Sequence, residues 1–296
     1  MKIAVTGAAS FIGAALHRYC QTHGIEWVGV DAAPPGPRHS SSTDIASPGW
    51  EEALPAGVDA LVHLAAISRD ADCRSDPGRA LQVNVMGTWR VIETARARSI
   101  PQVVFASSEW VYGDINAAVK TEETVIDAGS IRSEYPLTKL AGERLLWMAA
   151  QPAGKLAATV LRFGIVYGPR PANWSAVETM YDAVARRDRI EVGSLDTARR
   201  FIHVDDIAAG IGASLGRGRA GFEIFNLTGN HLVSLGDIIK ESVRLHGRSP
   251  EVEERTPGVA SIRNIDNSKA REKLGWEPRI ELRQGLETLG PEAMAA

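Results

Sequence analysis

Short runs rich in Val and Ile alternate with longer segments of helical period along the first half of this chain, and repeated strand-helix-strand units around a parallel sheet bury both at once. Residues 2–6, 27–31, 60–64, 103–107 and 158–163 read as the strands. The predicted fold class is α/β, a doubly wound parallel sheet. A helix opening after Asp76 and Pro77 places Ala80, Val83, Gly87, Val91 and Ala95 at steps of three and four, a stripe that packs on such a sheet. Residues 32–49, rich in Pro, Ser and Gly, read as a surface loop. Beyond Gly168 the pattern loosens into a helix near residues 176–186, strands at 201–204 and 222–227, helices after Ser234 and Asn267, and a frayed tail after Gly290. This predicts a smaller C-terminal α/β lobe. Residues 1–168 with about 200–228 form the main domain, and about 169–199 with 229–296 the second.

With 44% hydrophobic residues among 296, the chain buries a core without staples, and Cys20 and Cys73 are too few for a disulfide framework or a metal cage. A formal charge of −3 gives no electrostatic case for nucleic acid or an anionic membrane. No apolar run nears the roughly 18 residues of a membrane span, and the N-terminus enters a strand at Lys2 with no leader pattern, which predicts a cytoplasmic protein.

The run Gly7, Ala8, Ala9, Ser10, Phe11, Ile12, Gly13 follows the first strand and opens a helix. In that context small residues let the backbone turn sharply against a pyrophosphate, while the helix N-terminus offers free N–H groups and partial positive charge. Ser10 stands where a middle glycine is usual, and its hydroxyl can bond a phosphate. Asp31 closes the second strand, where a carboxylate accepts hydrogen bonds from both adenosine ribose hydroxyls and repels a 2′-phosphate. A Rossmann-type domain that binds NAD in preference to NADP is predicted.

Tyr135 and Lys139, four apart on a predicted helix, share one face. A phenol of ordinary pKa about 10 is a poor base near neutrality, but a neighbouring ammonium and an oxidised nicotinamide both favour the phenolate. The pair can then move a proton. Ser107 and Ser108 end a strand, at the edge where open α/β sheets bind ligands, and Ser108 can bond the reacting oxygen.

Together with His63 to Ala66, Asn84, Val111 to Gly113, Leu161 to Phe163, Tyr167 to Pro169, Arg200 to Asp206 and Leu274 to Trp276, these motifs resemble the NAD-dependent epimerase/dehydratase family of extended short-chain dehydrogenases/reductases over nearly the whole length. The resemblance implies Ser108, Tyr135 and Lys139 as the catalytic set, with Lys139 also holding the nicotinamide ribose. It implies that Asp44 and Ile45 lie near the adenine, that Leu64, Ala65, Ala66, Asn84 and Ser107 meet the cofactor, and that the chain forms a homodimer. His63 reads as a structural histidine at a strand end, and His203 as leading into a helix cap.

The chain also departs from the family pattern. Ile165 stands where many nucleotide-sugar members carry an asparagine against the substrate diphosphate. An Arg-x-Gly-Asp-like nucleotide element is replaced by Thr256, Pro257, Gly258 and Val259, with Arg255 before it and Arg263 after. Glu109 occupies the first place of the two adjacent acids of sugar 4,6-dehydratases, but the second is Trp110. Substrate candidates are Ser108 and Glu109 for the sugar, and Arg199 and Arg200 for a diphosphate, with a strand-edge ion pair as the alternative for the arginines. Trp174 is a candidate for stacking on a sugar or base, or for packing between lobes. The sequence thus predicts a sugar epimerase using NAD and acting on a nucleotide sugar through a keto intermediate. The alternatives are a sugar or uronate dehydrogenase, a sugar-nucleotide dehydratase, or a non-catalytic NAD sensor.

Overall fold

A computed structural model describes residues 1–40, 42–113, 118–151, 156–172, 175–216 and 221–290; Trp174 and the tail after Gly290 lie outside the described residues. The chain runs β1 (Lys2–Thr6), α1 (Phe11–Thr22), β2 (Glu26–Val30), β3 (Ala60–His63), α2 (Asp70–Ser75), α3 (Pro77–Leu81), α4 (Gly87–Ala97), β4 (Gln102–Ser108), β5 (Val119–Lys120), α5 (Glu134–Ala149) and β6 (Ala157–Phe163). There follow β7 (Val166–Tyr167), α6 (Ala176–Arg186), β8 (Arg189–Val192), β9 (Ala198–Arg199), β10 (Ile202–His203), α7 (Val204–Ser214), β11 (Gly221–Leu227), β12 (Val233–Ser234), α8 (Leu235–His246), β13 (Glu251–Glu254), β14 (Asn264–Ile265), α9 (Ser268–Leu274) and α10 (Leu282–Glu287).

Six strands form one parallel sheet in the order β11-β6-β4-β3-β1-β2. The chain moves outward from β1 to β2, then crosses back past β1 to β3. The switch point between β1 and β3 is where such sheets open a crevice at their carboxyl ends. Alternation along each strand divides the core into two layers: Ile3 and Val5 pack with Leu16, Ile207 and Ile211, while Ala4 packs with Val91, Ile92 and Leu146. Because helices cover both faces, β3, β4 and β6 are buried along their whole length, which is why they read as unbroken apolar runs. Each fully buried aliphatic side chain contributes roughly 1.5–3 kcal/mol.

The helix expected after Pro77 is interrupted: α3 and α4 are joined by a π-turn over Gln82–Met86. The predicted stripe is nevertheless buried, from Ala80 to Ala95. Val204, expected to end a strand, instead opens α7, whose cap is His203, with Nδ1 accepting from Asp205 N at 3.3 Å. Helices α6, α8 and α10 build separate clusters around Val177, Ile238 and Leu286 and around Val184, Ile190 and Ile239. The segment after β13, expected in the second lobe, returns to the main sheet. There Ala270, Leu274 and Trp276 join the first core layer, and Trp276 Nε1 donates to Asp206 O at 3.0 Å.

Candidate active site

At the switch point a cavity of about 420 Å³ is lined by Gly7, Ser10, Asp31, Asp44, Ile45, Leu64, Ala65 and Ala66, all singled out from the sequence as site residues, by Val83, read there only as packing, and by Thr43, Ile67 and Arg79, which were not singled out. The glycines explain how it forms. Gly7 has φ +76°, and a Cβ on it would lie 2.6 Å from Ala65 N; a Cβ on Gly13 would lie 2.6 Å from Ala8 O. Both hydrogens are therefore needed for β1, α1 and the segment after β3 to meet. Ser10 caps α1, its Oγ accepting from Gly13 N at 3.0 Å. Asp31 accepts from Ala9 N through Oδ2 and from Ala33 N through Oδ1, both at 2.8 Å, which holds its carboxylate between the glycine loop and the loop after β2. Asp44 is ion-paired to Arg79.

Phe11, Ile12, Gly13, Asn84 and Ser107 do not line this cavity. The Phe11 ring lies under the Arg170 guanidinium at 4.4 Å, and Ile12 packs on the main core. Asn84 sits in the π-turn, where Oδ1 accepts from Ile67 N (2.8 Å) and Nδ2 donates to Ile67 O (2.9 Å) and Thr138 Oγ1 (3.0 Å), tying the cavity wall to α5. Ser107 Oγ donates to Glu143 Oε1 at 2.6 Å, on the opposite side of β4 from its neighbour.

That neighbour, Ser108, meets the Tyr135 phenol through a hydrogen bond at the start of α5. Burial pushes the Tyr135 pKa above its ordinary value, and the Ser108 bond works in the opposite direction. Lys139, one turn further on, is 2% exposed, with Nζ 4.8 Å from the Phe105 ring centroid and 5.9 Å from that of Tyr135. Burial lowers its pKa to about 7. The three residues thus converge at the carboxyl end of β4, with the phenol neutral and the amine close to releasing its proton. His63 bridges Thr6 Oγ1 (2.7 Å) and Thr88 Oγ1 (3.0 Å), and burial depresses its pKa to about 3, so it is a neutral strut between β1 and α4.

Glu109 is 1% exposed, and burial raises its pKa to about 7 against the pull of Arg263 and Arg199. Arg263 was marked in the sequence only as following the altered nucleotide element, with no partner assigned. It lies 3.3 Å from Glu109 Oε1, donates to Gly113 O (2.8 Å) and Glu109 O (3.0 Å), and stacks 4.4 Å from the Trp110 ring centroid. Arg199 and Arg200, expected to act as a pair, diverge as neighbours in an extended segment must. Arg199 acts on Glu109, while Arg200 Nε donates to Asn264 Oδ1 at 2.7 Å, beside Asp266 and Arg271. Among the described residues no cluster of His, Cys, Asp or Glu could hold a metal ion.

Residues 3–228 match the model of the NAD dependent epimerase/dehydratase family, and the chain belongs to that family. It is an enzyme, and its cofactor is NAD. It is 30% identical to an uncharacterized UDP-glucose epimerase, YtcB, of Bacillus subtilis (strain 168), across 97% of this chain and 96% of that one. The solved structure of MoeE5, with UDP-glucose and NAD bound, is 28% identical with a TM-score of 0.85 and 97% of each chain covered; MoeE5 has also been solved with UDP-glucuronic acid and NAD. UDP-glucose 4-epimerase of Thermotoga maritima with UDP-glucose superposes at the same TM-score, 25% identical, over 100% of this chain and 99% of that one.

Proposed function

We propose that this enzyme inverts a carbinol centre of a nucleotide sugar through a keto intermediate. The observation that carries the reading is the convergence of Ser108, Tyr135 and Lys139 at the carboxyl end of β4. NAD, when bound, supplies a hydride acceptor that is regenerated in each cycle. The cavity fits the dinucleotide: Asp31 has lone pairs left for ribose hydroxyls, Asp44 and Ile45 flank an adenine, Leu64, Ala65 and Ala66 wall the nicotinamide half, and Gly7 and Ser10 bring the start of α1 to a pyrophosphate. Tyr135 takes the hydroxyl proton, Ser108 polarises the same oxygen, and the Lys139 ammonium favours the phenolate. Arg199 contacts the diphosphate, and the sugar lies between the Rossmann domain and the lobe carrying α6, α8 and α10.

We also propose a cytoplasmic homodimer. Exposed Leu81, Met86, Leu137, Trp147 and Met148 sit on α3, the π-turn and α5, which pack side by side, and such a patch is characteristic of an interface. Cys20 and Cys73 are both free and buried, which suits a reducing compartment.

Two measurements test these roles. Denaturing the purified protein and quantifying released NAD and NADH by mass spectrometry should find near-stoichiometric cofactor, since an epimerase returns its hydride and can keep the carrier. A largely empty protein that steadily generates NADH from its sugar would establish the dehydrogenase alternative. Asp31→Ala should raise the KM for NAD by roughly 10- to 100-fold, the worth of lost bonds to a charged acceptor, and narrow the preference over NADP. An unchanged NAD/NADP ratio in steady-state assays would clear Asp31 of the role.

A further inference from the structure

Two points along the dinucleotide cavity are fixed by their chemistry. Gly7 and Ser10 stand where the start of α1 meets a pyrophosphate, and Asp31 where a carboxylate receives ribose hydroxyls. The wall is continued by Thr43, Asp44 and Ile45 from the loop after β2, and by Arg79 and Val83 from α3 and the π-turn, which form the base end. The backbone there is held without the help of Asp44. Ile45 is 3% exposed, and a Cβ on Gly87 would lie 2.8 Å from Ile45 Cδ1, so the loop closes onto α4 as far as a glycine permits. Arg90 donates to Ala46 O. Two bonds then set the Asp44 carboxylate: Ala46 N donates to Oδ1 at 2.8 Å, and Arg79 Nη2 donates to Oδ2. Arg79 is itself placed by α3, whose cap, Asp76, accepts its backbone N–H at 2.9 Å. An ionised carboxylate accepts about four hydrogen bonds, so these two leave room for a ligand. The Asp44 and Arg79 side chains are 28% and 39% exposed, and an ion pair so open to water adds little to the stability of the fold. Its consequence lies in where it points a carboxylate on the cavity wall.

We propose that Arg79 is a positioning residue for cofactor recognition: it holds the Asp44 carboxylate in the orientation that receives the exocyclic amine of the NAD adenine. The chemistry matches, since the amine donates and an ionised carboxylate only accepts. The inference rests on the placement of adenine beside Asp44 in the reading above, and adds the residue that orients Asp44 for it.

The test is fluorescence titration of the wild type, Arg79→Ala and Asp44→Ala with NAD and with its deaminated analogue, in which hypoxanthine replaces adenine and an oxygen replaces the amine. The wild type should prefer NAD by at least ~10-fold, the scale of one hydrogen bond to a charged acceptor. Asp44→Ala should bring the preference within ~3-fold. Arg79→Ala should do the same with Asp44 still present, chiefly by weakening NAD, because a carboxylate free to turn no longer reads the amine. A loss of affinity shared equally by both cofactors in Arg79→Ala would make the ion pair a staple of the loop and overturn the inference alone. A preference that widens would overturn it too, since Arg79 would then be a donor to the analogue's oxygen. A wild type without preference, or an Asp44→Ala protein that keeps it, overturns the adenine placement and the inference together. The variants are expected to fold, because Ile45 and Arg90 still hold the loop; Arg79→Gln supplies the same comparison if Arg79→Ala does not.

Discussion

Tyr135→Phe should lower turnover by roughly 10²- to 10⁴-fold, the contribution of a positioned proton-transfer group, while NAD affinity moves by no more than ~10-fold. The separation follows from where the hydroxyl points. Tyr135 meets Ser108 through its oxygen and does not line the dinucleotide cavity, so its loss removes a partner of the reacting carbinol and leaves the walls around the cofactor in place. Phenylalanine fills the same volume beside Lys139, so the fold is not expected to suffer. The phenol needs help to act as a base: burial raises its pKa, and at neutral pH it stays protonated until positive charge gathers around it. Lys139 contributes only a fraction of that charge alone, because its own pKa has fallen to about 7. Steady-state assays with the best nucleotide sugar, alongside fluorescence titration of NAD, measure both quantities. Turnover equal to the wild type would remove Tyr135 from the mechanism, and a parallel collapse of NAD binding would make it a structural residue of the cofactor site.

How far the sequence foretold this arrangement depended on whether each signal was local. The sheet was legible because strands covered on both faces are apolar throughout, and the observed ends of β3, β4 and β6 lie within one residue of those expected. The π-turn was hidden by the stripe it serves: from Val83 the steps to Gly87, Val91 and Ala95 are all four, which overshoots a helical turn of 3.6, and a single wider turn absorbs the surplus residue. Period-two alternation, applied strictly, would have separated Ser107 from Ser108 and Arg199 from Arg200; their motifs suggested shared roles, while the extended backbone sends neighbours to opposite sides. Asn84 was assigned by resemblance to the cofactor; the bonds of its amide to Ile67 and Thr138 join segments far apart in the chain and left no local mark. Arg263, noted only for its place after the altered nucleotide element, carried no local signal of its pairing. Its partner Glu109 is brought to it by the return of the segment before α9 to the main sheet, anchored by short β14 on β5, a pairing of two residues that no periodicity marks.

Glu143→Ala should destabilise the protein by roughly 3–5 kcal/mol, a fall in Tm on the order of 10 °C, because it strands a buried cation. Arg162 is 2% exposed and is held by Glu143 through Nε to Oε1 (2.9 Å) and Nη2 to Oε2 (2.7 Å), with the Tyr112 ring 4.8 Å from the guanidinium. Glu143 also accepts from Ser107, so one carboxylate ties α5 to the ends of β4 and β6. Replacing both ions, as in Glu143→Leu with Arg162→Met, should recover most of that stability, since a well-packed apolar pair costs nothing in desolvation. It should not recover turnover. Glu143 lies one turn beyond Lys139 and its charge raises the Lys139 pKa against burial; without it the ammonium is lost at lower pH, and the alkaline limb of the kcat profile moves towards acid. Denaturant melts and pH profiles of the single and double variants separate the two effects. A single variant within about 1 kcal/mol of the wild type would show that water reaches Arg162. A double variant that is stable and has the wild-type pH profile would leave the ion pair no part in positioning Lys139, and the network beneath the site would then be purely a device of packing.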